Sequence, residues 1–140
     1  MIEVVSAVIL RKGRQLLTQR REDQDFSFHW ESPGGKVEPF ESHRQALLRE
    51  IVEEIGVLAV FDDAPLWSGE FHSDTVREER RDVRVFRYRA KLLSTDRDPI
   101  TPREGQGIGW FTADELTRIP LAPADARALA QTHRLLVESK

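Results

Sequence analysis

Three carboxylates crowd one short stretch of the chain, "RQALLREIVEEIGV", residues 44–57. Glu50, Glu53 and Glu54 stand three and four residues apart. On a helix of about 3.6 residues per turn they share an arc of roughly 100°. Like charges at that spacing repel by a few tenths of a kcal/mol per pair. Gly56 reads as the helix stop, so Glu53 and Glu54 also sit at the negative end of the helix dipole. A divalent cation would turn that repulsion into attraction. Hard cations want oxygen ligands, and Mg²⁺ binds one or two carboxylates while keeping waters and substrate phosphates. Arg49 lies beside the arc and can pair with Glu53. Glu41, just before the helix, can fold back toward its first turn.

By itself, a Glu-x-x-Glu-Glu helix is ordinarily a solvated face. The loop ahead of it adds the other half of a site. Gly34-Gly35 allows close backbone approach and positive φ, and Lys36 can neutralise phosphate as a point charge. Acids for a metal plus a Gly-Lys loop suggest hydrolysis of a phosphate ester or phosphoanhydride. In that chemistry the protein's task is positioning and charge neutralisation.

The elements that must hold these residues can be read along the chain. Ile2–Leu10 is a Val/Ile-rich strand, Lys12-Gly13 a turn, and Gln15–Gln19 a returning strand. "RREDQDFSFH" is a polar loop, and "WESPGGKVEPFES" is a shaped loop dense in Pro and Gly. The helix runs from about Ser42 to Ile55, with Leu47, Leu48, Ile51, Val52 and Ile55 as its apolar stripe. "VLAVF", "PLWSGEFHS" and "DVRVFRYRAKLL" read as strands. In the last, Val83, Val85, Tyr88 and Ala90 do not share parity, so it is either bulged or buried on both sides. After the polar loop "STDRDPITPREGQ", "GIGWF" is a short strand. "TADEL" opens a helix with Thr112 as N-cap and Glu115 completing a capping box. "APADARALAQTHRLLVESK" reads as one closing helix. The order predicts an α+β fold, a mixed β-sheet sandwiched between α-helices.

Bulk properties narrow the function. The 140 residues suit one domain with its own core. A net charge of -3 with no strongly basic block argues against nucleic acid as the main partner. Without cysteine, disulfides and thiolate zinc sites are excluded. The apolar run in "MIEVVSAVILRKGRQ" is too short to span a bilayer, and it lacks a basic leader and cleavage site. The default expectation is a cytoplasmic enzyme or binding module, with no membrane association.

The whole spacing carries more than any part. Gly35, five residues, Glu41, seven residues, then Arg49-Glu50-Ile51-Val52-Glu53-Glu54-Ile55-Gly56-Val57 resembles the Nudix box, G-x5-E-x7-R-E-U-x-E-E-x-G-U with U aliphatic. Every fixed position is met, and "WESPGGK" is similar to the MutT-like branch. The resemblance implies a mixed sheet between helices, with the box as a loop–helix–loop. It implies that Glu50, Glu53 and Glu54 hold Mg²⁺ or Mn²⁺, with Gly35 beside the metal, Arg49 orienting one of these acids and Glu41 supporting the loop. The reaction it implies is hydrolysis of a nucleoside diphosphate linked to a further group. Glu104, between a long strand and an aromatic strand, stands where MutT-like members carry a further acid; it is a metal ligand or general base, with Glu50 as the rival base. Glu78 and Glu79 are weaker candidates.

For substrate, small size favours the nucleoside triphosphate pyrophosphohydrolases, acting as monomer or homodimer. "MIEVVSAVIL" and "IPLAPADARALAQ" resemble the branch acting on CTP and modified cytosine nucleotides. Asp125 can accept from an exocyclic amine such as cytosine N4, or simply suit a helix N-terminus. MutT-like enzymes for oxidised guanine carry other residues at Asp125 and Ser32, yet 8-oxo-dGTP stays an alternative. So do dinucleoside polyphosphates or capped RNA, and a Nudix-fold sensor without catalysis. Phe28 is a candidate to stack on the base, Arg20 or Arg21 to meet the phosphates. Trp30 and Trp110 read as core, and the four histidines as structural or surface residues.

Overall fold

The computed structural model describes residues 1–73, 81–93 and 100–138. Glu78 and Glu79 lie outside the described residues. Eight strands and four helices are described. They are β1 (Ile2–Arg11), β2 (Arg14–Gln19), β3 (Trp30–Glu31), β4 (Gly34–Lys36), α1 (His43–Ile55), β5 (Ala59–Phe61), β6 (Trp67–Ser73), β7 (Arg81–Leu92), β8 (Gly107–Thr112), α2 (Ala113–Leu116), α3 (Pro123–Arg127) and α4 (Leu129–Glu138).

The centre is a parallel pair, β1 with β7, in register from Ile2↔Val83 to Ile9↔Ala90. β4 lies antiparallel along the lower half of β1. β1 turns back into β2 through Lys12 and Gly13, both at positive φ, as a tight two-residue hairpin demands. β2 then pairs with β3 on one edge and β8 on the other, and β7 takes β5 and β6 along its outer edge.

Side-chain alternation gives the sheet two buried faces. Val5, Ala7 and Ile9 of β1 join Tyr88, Ala90 and Leu92 of β7 against Ala46, Leu47, Ile51 and Ile55 of α1. On the opposite face Leu17, Leu116 and Leu136 pack with Trp30, Phe111 and Leu129. The sheet is therefore mixed and lies between helices, as expected. The odd parity of β7 resolves as two-sided burial without a bulge, because its pairing with β1 is unbroken.

Three local readings need correction. The Pro/Gly stretch 30–42 is not all loop, since it carries β3 and β4. The buried stripe of α1 uses Ala46, whereas Leu48 is 39% exposed. The closing helix is two helices, interrupted at Ala128 (φ −91°, ψ 6°). That break lets Asp125 of α3 and Thr132 of α4 reach the same buried side chain, Arg87.

The capping signals read correctly. Ser42 Oγ accepts from Gln45 N–H at 3.1 Å, and Gln45 Oε1 accepts from Ser42 N–H at 2.8 Å. Thr112 and Glu115 close the same reciprocal box on α2. Gly56 ends α1 at φ 71°. No helix among the described residues is long and apolar enough to cross a membrane.

Candidate active site

The site begins where β4 meets α1. Neither Gly34 nor Gly35 takes positive φ; both are needed for close approach instead. A Cβ on Gly34 would stand 2.0 Å from the Val5 carbonyl oxygen, and one on Gly35 would stand 2.4 Å from Glu50 Oε1. Gly35 thus leaves the space that the Glu50 carboxylate occupies.

Arg49 organises the acids around it. Its Nε and Nη2 donate to both oxygens of Glu41 at 2.8 and 2.9 Å, and its Nη1 to Glu50 Oε1 at 2.8 Å. Glu53 lies 3.5 Å from the same Nη1, and the Lys36 carbonyl accepts from Nη2 at 3.1 Å. One planar guanidinium therefore ties the loop before α1 to the helix, a geometry lysine cannot copy. The Arg49 bonds and the Glu38 N–H hold the Glu41 carboxyl down at about 2, and Glu41 in turn raises the Arg49 guanidinium.

Glu50 and Glu54 are shifted the other way. Burial raises Glu50, opposed by Arg49 and reinforced by Glu53 and Glu104. Burial pushes Glu54 up to about 9, reinforced by Glu50, Glu31 and Glu104 and opposed by a hydrogen bond from Gly34. The second oxygen of Glu54, Oε2, is buried with no hydrogen-bond partner. A buried acceptor without a donor costs about 1–3 kcal/mol, more if charged. Here it stands among other acids, which is the setting a hard divalent cation satisfies. Among the described residues no three acidic or histidine side chains are placed so that they could hold a metal ion by themselves. Mg²⁺ does not require this, since it completes its shell with water and phosphate. The donor set fits such an ion.

Glu104 reaches the cluster from the loop before β8. The Glu54 carbonyl accepts from Arg103 N–H at 3.0 Å and from Gln106 Nε2 at 2.8 Å. Gln106 Oε1 also takes the Glu104 N–H at 2.9 Å. Arg21 Nη1 donates to the Glu104 carbonyl at 2.7 Å. Arg21 thus anchors this loop.

Beside Gly34 and Gly35 opens a cleft of about 580 Å³, walled by Val4, Ser6, Phe26, Phe71, Val85 and Asp125. Arg20 and Glu31 also line it. Arg20 Nη1 spans both oxygens of Glu31 at 3.1 and 3.0 Å, and its Nε donates to the Asp25 carbonyl. Burial raises Glu31, opposed by Arg20 and reinforced by Asp125. Asp125 pairs with Arg87 at 2.8 Å and accepts the Ser32 hydroxyl at 2.5 Å.

The sequence reading and this geometry agree in part. Glu50, Glu53, Glu54, Glu104, Arg49 and Gly35 come together at one end of α1, and Arg20, Gly34 and Asp125 line the adjoining cleft. Phe28 does not line that cleft; Phe26, also at positive φ, does. Lys36 is exposed and outside the cleft wall. Trp30 and Trp110 pack into the cores, as expected. Glu31 and Arg87 were missed, and Ser32 was noted only as a departure from the MutT-like pattern, not as a partner of Asp125. Glu31 and Ser32 sit inside the quoted "WESPGGK", whereas nothing in a strand rich in arginine singles out Arg87.

A mixed sheet between helices, an acid-bearing loop–helix–loop on one face and a cleft beside it together define the Nudix-fold class. The sequence matches the family described as NUDIX domain over residues 2–132. It is 40% identical over 127 residues to the CTP pyrophosphohydrolase of Escherichia coli (strain K12), covering 89% of this chain and 86% of that one. It is 36% identical over 140 residues to the 8-oxo-dGTP diphosphatase of Haemophilus influenzae, covering 99% and 93%. Among solved structures, the solution structure of the E. coli ORF135 protein superposes with a TM-score of 0.73 at 34% identity, covering 100% and 93%. The chain belongs to the Nudix family. Its relatives carry the names of enzymes acting on nucleoside triphosphates, and Nudix hydrolases generally use divalent metals.

Proposed function

We propose that this chain hydrolyses nucleoside triphosphates to a monophosphate and pyrophosphate with Mg²⁺ or Mn²⁺, favouring cytosine-type or modified nucleotides. The observation that carries this is the unpartnered Glu54 Oε2, crowded by Glu50, Glu31 and Glu104, next to Gly34, which lines a nucleotide-sized cleft. The 40% identity to an enzyme named for CTP supports the base.

Glu50, Glu53 and Glu54 would hold the ion, with Glu104 completing the set. Such an ion neutralises phosphate charge and makes bound water a better nucleophile. The chain's own residues do the rest. Glu104 or Glu50 accepts the proton of the attacking water, whose oxygen bonds to one of the two phosphorus atoms flanking the α–β bridge as that bridging P–O bond breaks, releasing the monophosphate and pyrophosphate. Arg49 fixes Glu50 in place through its Nη1 bond and leaves the other Glu50 oxygen open. Arg20 offers its charge from the cleft wall, and Lys36 and Arg21 add positive charge outside it. Phe26 supplies an aromatic surface for the base, and Asp125 an acceptor for an exocyclic amine.

A second reading, oxidised guanine triphosphate, draws on the 36% identity to the H. influenzae enzyme. A screen of canonical and modified nucleoside triphosphates with Mg²⁺, scored by pyrophosphate release, tests the proposal. Pyrophosphate from CTP or a modified cytosine nucleotide supports it. Nucleotides released from a dinucleoside polyphosphate, without pyrophosphate from any triphosphate, would overturn it. Bound but unchanged ligand would mark a sensor.

A further inference from the structure

Behind Ser32 and Asp125 of the cleft wall lies a charge that β7 would not be expected to bury. Arg87 is 1% exposed. Its Nη1 donates to Asp125 Oδ1 at 2.8 Å and Ser32 Oγ at 3.3 Å, and its Nη2 to Thr132 Oγ1 at 3.2 Å. Its Nε has no partner. Across the parallel pair, in register with Arg87, stands Ser6. Ser6 is 8% exposed and lines the cleft, and its hydroxyl also has no partner.

Native interiors seldom leave two polar groups unsatisfied on neighbouring strands, and each such group calls for an explanation. A hydroxyl both accepts and donates. If Ser6 Oγ takes the Arg87 Nε–H, its own proton is free for a ligand. Asp125 complements it. Its Oδ1 is engaged by Arg87 and Ser32, while Oδ2 takes only the Ser32 N–H, at 3.1 Å. Oδ2 therefore keeps capacity for an incoming N–H. The cleft wall thus carries both an acceptor, on Asp125, and a donor, on Ser6.

We infer that Ser6, backed by Arg87, reads a hydrogen-bond acceptor on the base, beside the amine taken by Asp125, so that the cleft selects amino over keto bases. Cytosine presents an N4 amine and then the N3 acceptor, in matching order. Uracil presents carbonyl O4 and then N3–H, so Asp125 would meet an oxygen and the Ser6 proton a donor. A mismatch of this kind discriminates strongly because buried polar groups are left unpaired. Arg87 is a positioning residue here, acting through Ser6 and Asp125. The inference rests on a nucleotide occupying the cleft, as proposed above, but not on its hydrolysis.

The test is calorimetric binding of CMP and UMP in excess Mg²⁺, with pyrophosphate release from CTP measured in parallel. Wild type should prefer CMP at least tenfold. Ser6→Ala should reduce that ratio severalfold while leaving the melting temperature unchanged or higher, since it removes an unsatisfied hydroxyl. Arg87→Lys should retain part of the preference and Arg87→Gln should lose it. A CMP:UMP ratio unchanged in Ser6→Ala, or no preference in wild type, overturns the inference whatever happens to Arg87 variants in folding. If preference depends on Ser6 while no triphosphate yields pyrophosphate, the base-reading role stands and the hydrolytic reading fails.

Discussion

Replacing Glu54 by glutamine should make the metal-free protein more stable above neutral pH. The substitution keeps the shape and the acceptor facing Gly34 N–H, but removes a charge from a buried position crowded by Glu50, Glu31 and Glu104. The folded-state carboxyl titrates at about 9 against 4.5 for the free group. It is raised, so the folded protein keeps a proton that the unfolded chain gives up. Stability from this group is therefore complete below pH 4.5 and falls as pH climbs toward 9. An isolated group would lose about 1.4 kcal/mol per pH unit. The end of α1 is only partly buried, so at pH 7.5 we expect a penalty on the order of 2 kcal/mol. In thermal melts with chelator, Glu54→Gln should exceed the parent by roughly 5 °C at pH 7.5 and match it at pH 4.5. Excess Mg²⁺ should reverse the order, adding about 2.7 kcal/mol to the parent at a hundredfold over Kd and far less to the variant. A variant no more stable than the parent at pH 7.5, with the same response to Mg²⁺, would refute the reasoning.

Other perturbations separate the site from its scaffold. Glu53→Gln should cut pyrophosphate release at least a hundredfold with an unchanged melting temperature, because Glu53 is exposed and its ion pair with Arg49 is long, at 3.5 Å. Gly35→Ala would drive a methyl into the Glu50 carboxylate, so kcat should fall tenfold or more while circular dichroism stays native. Gly56→Ala meets both a φ of 71° and the Arg103 side chain, 2.5 Å from the added carbon. It should cost about 2 kcal/mol in urea denaturation and lower kcat as well, since Arg103 adjoins Glu104.

The acid arc of α1 was legible because helix periodicity and capping are local rules, and Ser42, Gln45 and Gly56 obey them. The partnership of Arg49 with Glu41 was not, because the two side chains meet only once the loop folds back. β3 and β4 escaped notice for a related reason. At two and three residues they have no period to read, and their strand character comes from pairing with β2 and β1. Ala46 displaced Leu48 in the buried stripe because the helix faces the sheet at a slightly different rotation. Phe26 and Phe28 are equivalent on composition, and only the backbone of the loop decides which one enters the cleft. Arg87 looks like its neighbours Arg84 and Arg89 in sequence. It differs because its side chain meets Asp125, which lies 38 positions further along the chain and beyond any local signal.

The central claim is that the crowded acids of α1 exist to hold a divalent ion against a polyphosphate. Titrating Mn²⁺ into the chain with and without CTP, followed by electron paramagnetic resonance, tests it most directly. The account predicts stoichiometric uptake that tightens with nucleotide and weakens at least tenfold in Glu50→Gln and Glu54→Gln. No uptake with nucleotide present, or equal uptake by those variants, would contradict it.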